Sequence, residues 1–239
     1  NQILSYHTDY YTAMGLHNAE RRALNRLNED EQEFIRLQKI EKLLSIRLCD
    51  YKKHLIVGVG TGGTAVALHK LGVLSIFGID SNKIVVDIVK DKAKCNNFSP
   101  NNFNIACAEA LPYGKNNFDF IHCFSVLEHV QDVKKSIVEM YRVIKPNGIL
   151  YIHTPNYIFP LECHYEIPAP LFLGKTVTKL FLKIIGKPTK FLDSLQFVTP
   201  NSIDKILMTE VDMFYKIYRK DMIYRNVPTG NKFIHRFIR

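Results

Sequence analysis

The run Leu55-Ile56-Val57-Gly58-Val59-Gly60-Thr61-Gly62-Gly63 holds the densest chemical signal in the chain. An apolar, β-branched stretch ends in a glycine-rich turn, and helix-forming residues follow at once. Without Cβ atoms such a turn lets a ligand approach the backbone closely. Free amides at the start of the next helix favour an anionic or polar group. Asp80 lies 22 residues after Gly58, at the end of the next apolar run, where a carboxylate can accept from both hydroxyls of a ribose. Together these residues fit an adenosyl-bearing cofactor, with Val59 and Ser81 as the neighbouring contacts. Gly58, Gly60 and Gly63 also satisfy G-x-G-x-x-G, so an NAD-dependent oxidoreductase fits them equally. A tight turn that binds nothing uses the same glycines.

The elements that must position these residues alternate regularly. Residues 18–48 read as two helices, with Phe34, Leu37, Ile40, Leu44 and Leu48 at helical spacing. His54–Gly58, Val73–Asp80, Phe103–Cys107, Phe118–Phe124 and Ile149–Thr154 read as strands. Helices are expected over Gly62–Leu71, Lys83–Lys94 and Val130–Ile144, the last stopped by Lys145-Pro146-Asn147-Gly148. Strands separated by helices of this length imply parallel pairing with right-handed crossovers. The expected fold class is therefore α/β: a Rossmann-like, seven-stranded, mostly parallel sheet with helices on both faces. Residues 1–50 form an N-terminal helical extension and 51–239 the main domain. Residues 155–200 contain six prolines and few strand signals, and they read as a lid or substrate-binding insertion after the fifth strand. A helix near Ser202–Met208 follows. The runs Phe214–Arg219 and Lys232–Ile238 are expected to close the sheet as an antiparallel hairpin.

Composition excludes several classes. At 239 residues, 46% hydrophobic and 23% charged, the chain can bury a full core as one domain. No apolar run approaches the roughly 20 residues of a membrane span, and the first residues given do not show a basic segment followed by an apolar stretch and a small-residue cleavage site. Cys49, Cys95, Cys107, Cys123 and Cys163 are isolated, which suits a reducing, cytoplasmic setting and argues against a disulfide frame or a zinc knuckle. No metal site is expected. The net charge of +9 fits an anionic membrane surface, a phosphorylated substrate or plain solubility. Basic residues are spread along the chain instead of forming an aromatic-interleaved patch, so nucleic acid is disfavoured as a partner.

Downstream stretches separate the cofactors. Ala108-Glu109-Ala110-Leu111-Pro112-Tyr113, Asn117-Phe118-Asp119-Phe120-Ile121, Ser125-Val126-Leu127-Glu128-His129-Val130, Val143-Ile144-Lys145-Pro146-Asn147-Gly148 and Thr154-Pro155-Asn156 occur in order over residues 52–156. In this series the chain resembles the class I S-adenosylmethionine-dependent methyltransferases, in the branch with ubiquinone-biosynthesis-like and sugar- or glycan-modifying enzymes. The resemblance implies S-adenosyl-L-methionine as cofactor and S-adenosyl-L-homocysteine as product. It places the methionine part on Gly58–Gly62, the ribose on Asp80, the adenine along Ala108 and Glu109, and the sulfonium beside Ser125 and Leu127. It also implies O-methylation of a small hydroxylated metabolite, a sugar, or a glycan or lipid-linked intermediate. Two positions depart from the family. Ile56 stands where an acid usually supports the methionine amino group, and Cys107 where an acid usually accepts from the adenine amine. Arg36 or the Tyr10-Tyr11 pair are the candidate replacements. A non-catalytic binding or scaffold domain is the reading these departures leave open.

Methylating a hydroxyl calls for a general base, since a neutral oxygen is a poor nucleophile. His164 is the first candidate, with Glu162 or His153 behind it, and His129 is the second. Along 171–187, Leu173, Val177, Leu180, Phe181, Ile184 and Ile185 share a face with Lys175, Lys179, Lys183 and Lys187 recurring beside them. Such a helix packs as a lid over the site or rests on an anionic membrane surface, making the protein membrane-peripheral. The lid is the preferred reading.

Overall fold

A computed structural model describes residues 2–16, 18–158, 161–162, 167–211, 215–219 and 232–238. His164 and Cys163 lie outside the described residues. Three helices come first, α1 (Gln2–Ala13), α2 (Ala19–Arg26) and α3 (Glu29–Leu44). The two helices expected over 18–48 are α2 and α3. The separate helix α1 had not been read within the extension.

The alternating core follows, with β1 (Lys53–Val57), α4 (Gly63–Lys70), β2 (Ser75–Asp80), α5 (Lys83–Cys95), β3 (Phe103–Ile105), β4 (Phe118–Phe124), α6 (Val133–Val143) and β5 (Ile144–Pro155). These five strands pair in parallel in the order β3-β2-β1-β4-β5. The chain thus reverses direction across the sheet between β1 and β4. Open parallel sheets bind ligands at such a switch, outside the carboxyl ends of the strands.

Residue alternation explains the layers. On β1, Leu55 and Val57 enter an apolar cluster with Ile137 and Met140 of α6. Ile56 enters the opposite cluster with Leu37 and Ile40 of α3 and with Ala65, Leu68, Val86 and Val89 of α4 and α5. Both faces are therefore covered, as a parallel sheet requires. Caps fix where the helices begin: the Asn82 side chain accepts from the Ile84 amide at α5, and that of Asp132 from the Lys135 amide at α6.

The antiparallel closing hairpin expected for the sheet needs correction. Five parallel strands make up the sheet proper. The tail backbones β8 (Tyr215–Arg219) and β9 (Lys232–Ile238) continue its edge, and β9 runs parallel to both β5 and β8. Twelve residues separate Arg219 from Lys232, enough for a crossover and too many for a tight turn. In the 155–211 segment lie a short antiparallel pair, β6 (Leu161–Glu162) and β7 (Ile167–Pro168), and three helices, α7 (Gly174–Ile184), α8 (Lys190–Ser194) and α9 (Pro200–Glu210). Tyr157, Ala169, Leu171, Leu182, Leu192 and Leu195 form a separate small core there.

Candidate active site

A cleft of about 910 Å³ opens at the carboxyl ends of β1, β2, β4 and β5. Val57 to Thr61 form its floor, with Asp80 and Ser81 on one side and Phe124 to Val126 on the other. The N-terminal helices close it from above with Tyr6, His7, Tyr10, Tyr11, Glu29, Glu33 and Arg36.

Backbone geometry builds the floor. The Val59 amide donates to the Ile79 carbonyl at 2.8 Å, extending β1–β2 pairing two residues beyond the strand. The Gly60 amide then meets Asp80 Oδ2 at 3.1 Å, while the Asn82 amide donates to Oδ1 at 3.0 Å. Burial pushes the Asp80 carboxyl up from its ordinary value, and the amides of Asn82, Gly60 and Ser81 oppose that rise. Each carboxylate oxygen has a second lone pair for a ligand hydroxyl. At Gly60, with φ of +53°, a Cβ would find nothing within 4 Å, so the glycine leaves open space in the cleft wall. A Cβ on Gly58 would lie 2.3 Å from Val126 Cγ2. Floor and opposite wall touch there because the glycine is bare.

Other expected residues fall into two groups. Val59, Ser81, Ala108, Glu109, Ser125 and His129 line the cleft. Ser125 is held at φ +53° by its amide's 2.7 Å bond to the His153 carbonyl, an unusual backbone state of the kind that collects at functional sites. The Glu109 side chain accepts from the Gln131 amide at 2.7 Å and the Asp132 amide at 3.3 Å, bracing the cleft wall. Gly62 and Leu127 do not line the cleft. Gly62, at φ +91°, lets α4 pack on α5, where a Cβ would meet Val89 Cγ2 at 2.7 Å. Leu127 is fully buried in the core with Ile137 and Met140. His153 is buried beside the Phe124 ring. No residue of 171–187 lines the cleft, so the lid expected from that stretch is not formed there.

Of the cap, sequence reasoning named Arg36, Tyr10 and Tyr11, which line the cleft, and missed the rest. Thr61 donates its hydroxyl to both oxygens of Glu29, at 2.7 and 2.6 Å. Lys92 bridges Glu29 and Asp30 at 2.8 and 2.6 Å. The Thr64 hydroxyl donates to Glu33 at 2.9 Å, and Glu33 pairs with Arg36, whose guanidinium lies 3.8 Å over the Phe124 ring. Arg26 donates to the Tyr11 hydroxyl at 3.1 Å. Burial, reinforced by Arg26, lowers His7 to about 4, while burial with Tyr6 beside it pushes Tyr10 up to about 12. At neutral pH His7 is therefore an uncharged, weakly basic imidazole, and Tyr10 stays protonated. One signal was available: Glu29, Glu33, Leu37, Ile40 and Leu44 form a single helical stripe, so the two acids continue the core-facing side of α3.

The donor set fits an adenosyl cofactor carrying an amino acid. The floor offers amides and a ribose-height carboxylate, the wall offers small residues at Ala106 and Ala108, and acidic and basic groups meet at the α3 end. A parallel α/β sheet with such a cleft at its switch point defines a nucleoside-cofactor domain. Comparison with known proteins carries this further. Residues 55–152 match the methyltransferase domain family. The chain is 33% identical over 172 residues to the ubiquinone biosynthesis O-methyltransferase of Coxiella burnetii (strain RSA 331 / Henzerling II), covering 71% of this chain and 65% of that protein. It therefore spans somewhat under two thirds of that relative. To the protein of the same name from Pelagibacter ubique (strain HTCC1062) it is 30% identical over 184 residues, covering 74% of this chain and 71% of that protein. A SAM-dependent methyltransferase structure from Archaeoglobus fulgidus shares the fold, with a TM-score of 0.52 at 15% identity over 77% of this chain and 69% of that one. The chain belongs to the class I S-adenosylmethionine-dependent methyltransferases, and S-adenosylmethionine is its cofactor.

Proposed function

We propose that the chain is a working O-methyltransferase acting on a hydroxyl of a small or lipid-linked acceptor. The observation that carries this is the continuity of the cleft: the adenosyl floor at Gly58–Thr61 and the exposed imidazole of His129 line one cavity under the tyrosines of α1. The ubiquinone O-methyltransferase relatives support oxygen as the acceptor atom. When bound, the cofactor supplies a methyl carbon already activated by its sulfonium. The protein's task is then to align the acceptor, exclude water and remove one proton. Tyr6, Tyr10, Tyr11 and Met14 form the apolar roof that excludes water. The His129 imidazole would take the acceptor's hydroxyl proton during transfer of the methyl group that the cofactor supplies. His164, the first candidate from the sequence, lies outside the described residues and is the alternative for that proton.

The test is turnover to S-adenosylhomocysteine with a panel of phenolic and sugar hydroxyl acceptors. His129→Ala should lower kcat by about 10²- to 10⁴-fold with cofactor binding intact. Methylation at nitrogen or carbon, or an unchanged kcat in that variant, contradicts the proposal. An inert protein that still binds the cofactor would favour the scaffold reading.

An anionic bilayer is the surface on which such an acceptor would be met. Thr178 and Leu182 anchor α7 on its own small core, leaving Phe172, Leu173, Val177, Leu180 and Ile184 exposed, the last at 75%. Lys183 is exposed on the same helix. An exposed apolar stripe flanked by lysines suits a lipid headgroup boundary. Among the described residues no helix is long and apolar enough to cross a membrane. Co-sedimentation with phosphatidylglycerol vesicles, lost in Leu180→Asp and in high salt, is the expected result. Equal sedimentation by that variant contradicts it.

A further inference from the structure

We infer that Glu33 of α3 receives the α-ammonium group of the cofactor's amino-acid end, a role that no residue of β1 can fill in this chain. The inference rests on the cofactor assignment above and adds the residue that reads its charge.

An ammonium group in a cleft closed by helices needs a carboxylate oxygen with an open lone pair. Six acids line the cavity, and of the two that α3 brings against the glycine turn, Glu29 has both oxygens bonded and Glu33 only one. Asp80 accepts from the Gly60 and Asn82 amides. Glu29 accepts from Thr61 and Lys92. Glu109 accepts from Gln131 and Asp132. Glu128 accepts from Thr154 at 2.9 Å, and Asp132 caps α6. Glu33 bonds through Oε2 alone, to Thr64 and Arg36. Its Oε1 has no hydrogen bond among the described residues, its side chain keeps 15% exposure, and it lines the cleft.

The packing explains why the acid sits on α3. Ile56 faces away from the cleft, in the core beside Leu37. Leu37 lies one turn along α3 from Glu33, on the same side of the helix. The stripe that covers the sheet as Leu37 and Ile40 therefore reaches the glycine turn as Glu33 and Glu29. Gly63 keeps that approach open, since a Cβ there would meet Glu29 Cγ at 2.8 Å and Glu33 Cγ at 3.2 Å. Thr64 and Arg36 hold the Glu33 carboxylate in place, leaving its other oxygen to the ligand.

Calorimetric titration of the full chain tests this without turnover. Three ligands serve: S-adenosylhomocysteine, its analogue lacking only the α-amino group, and 5′-methylthioadenosine, which lacks the amino-acid end. Wild type should lose about tenfold or more in affinity when the amine is removed. Glu33→Gln should bind S-adenosylhomocysteine about tenfold more weakly, bind methylthioadenosine as wild type does, and be nearly indifferent to the amine. Glu33→Asp, which withdraws the charge by one methylene, should fall between the two. An equal cost of amine removal in wild type and in both variants overturns the inference while leaving the cofactor assignment standing. Failure of wild type to bind S-adenosylhomocysteine overturns both.

Discussion

The floor and the cap of the cleft are built by different means. The floor, from Val57 to Thr61 with Asp80, holds its shape through backbone bonds and bare α-carbons. The cap, α1 to α3, holds its shape through side chains, with Glu29, Lys92, Thr61 and His7 in one network and Arg26 with Tyr11 in another. Backbone geometry tolerates few residue types, whereas a side-chain network can be assembled in many ways. The floor is therefore the part whose residue types are most constrained, while the cap is where the inferred role of Glu33 falls.

Variants that strike the two regions separately should give effects of different size. The largest is expected at the floor. Gly58→Ala forces an L-residue into φ +70° and drives its Cβ to 2.3 Å from Val126 Cγ2. A loss of about 3 kcal/mol in chemical denaturation, with loss of cofactor binding, should follow. Unchanged stability would mean that the turn is looser than described.

Acid should weaken both regions. Burial holds His54, on β1, and His7, in the cap, at about 4, below the usual histidine value near 6.5. The unfolded chain therefore takes up protons first as pH falls from about 6.5 toward 4, and stability is lost over that window and retained above it. Buried His54, which faces the Leu48 and Tyr51 carbonyls and His122, should account for about 2–3 kcal/mol by about pH 4.5. His54→Gln should flatten the pH dependence of unfolding, and an unchanged slope would exclude it as the source.

A smaller effect is expected in the cap. Glu29→Gln leaves Lys92 with Asp30 alone and weakens the hold on Thr61. A cost of about 2 kcal/mol, seen as a lower Tm, should follow. A loss as large as that of Gly58→Ala would erase the distinction between the two regions.

The same division governs how much the sequence revealed. Gly58, Gly60 and Asp80 were legible because their spacing follows from strand-turn-helix geometry alone. The strands β1 to β5 were legible for the same reason. Gly62 and Leu127 belong to the same motifs, yet tertiary packing turns one toward Val89 and the other into the core. Tyr6 and His7 reach the site only through the docking of α1, which no local pattern announces, while the stripe on α3 marks Glu29 and Glu33 as core-facing without saying what they face. The exposed face of α7 reverses the lid expectation for a similar reason. Periodicity defines an apolar face, but Leu182 and Thr178, not Leu180 and Ile184, are the residues that found partners.

The central claim is that the cleft binds S-adenosylmethionine with Asp80 and the glycine turn as its floor. Calorimetric titration of wild type and Asp80→Ala with S-adenosylhomocysteine and with NAD tests it most directly. Wild type should bind S-adenosylhomocysteine and not NAD, and Asp80→Ala should lose about a hundredfold in affinity, as expected when hydrogen bonds to a charged group are removed. Binding of NAD with comparable affinity, or equal binding of S-adenosylhomocysteine by the variant, would contradict it.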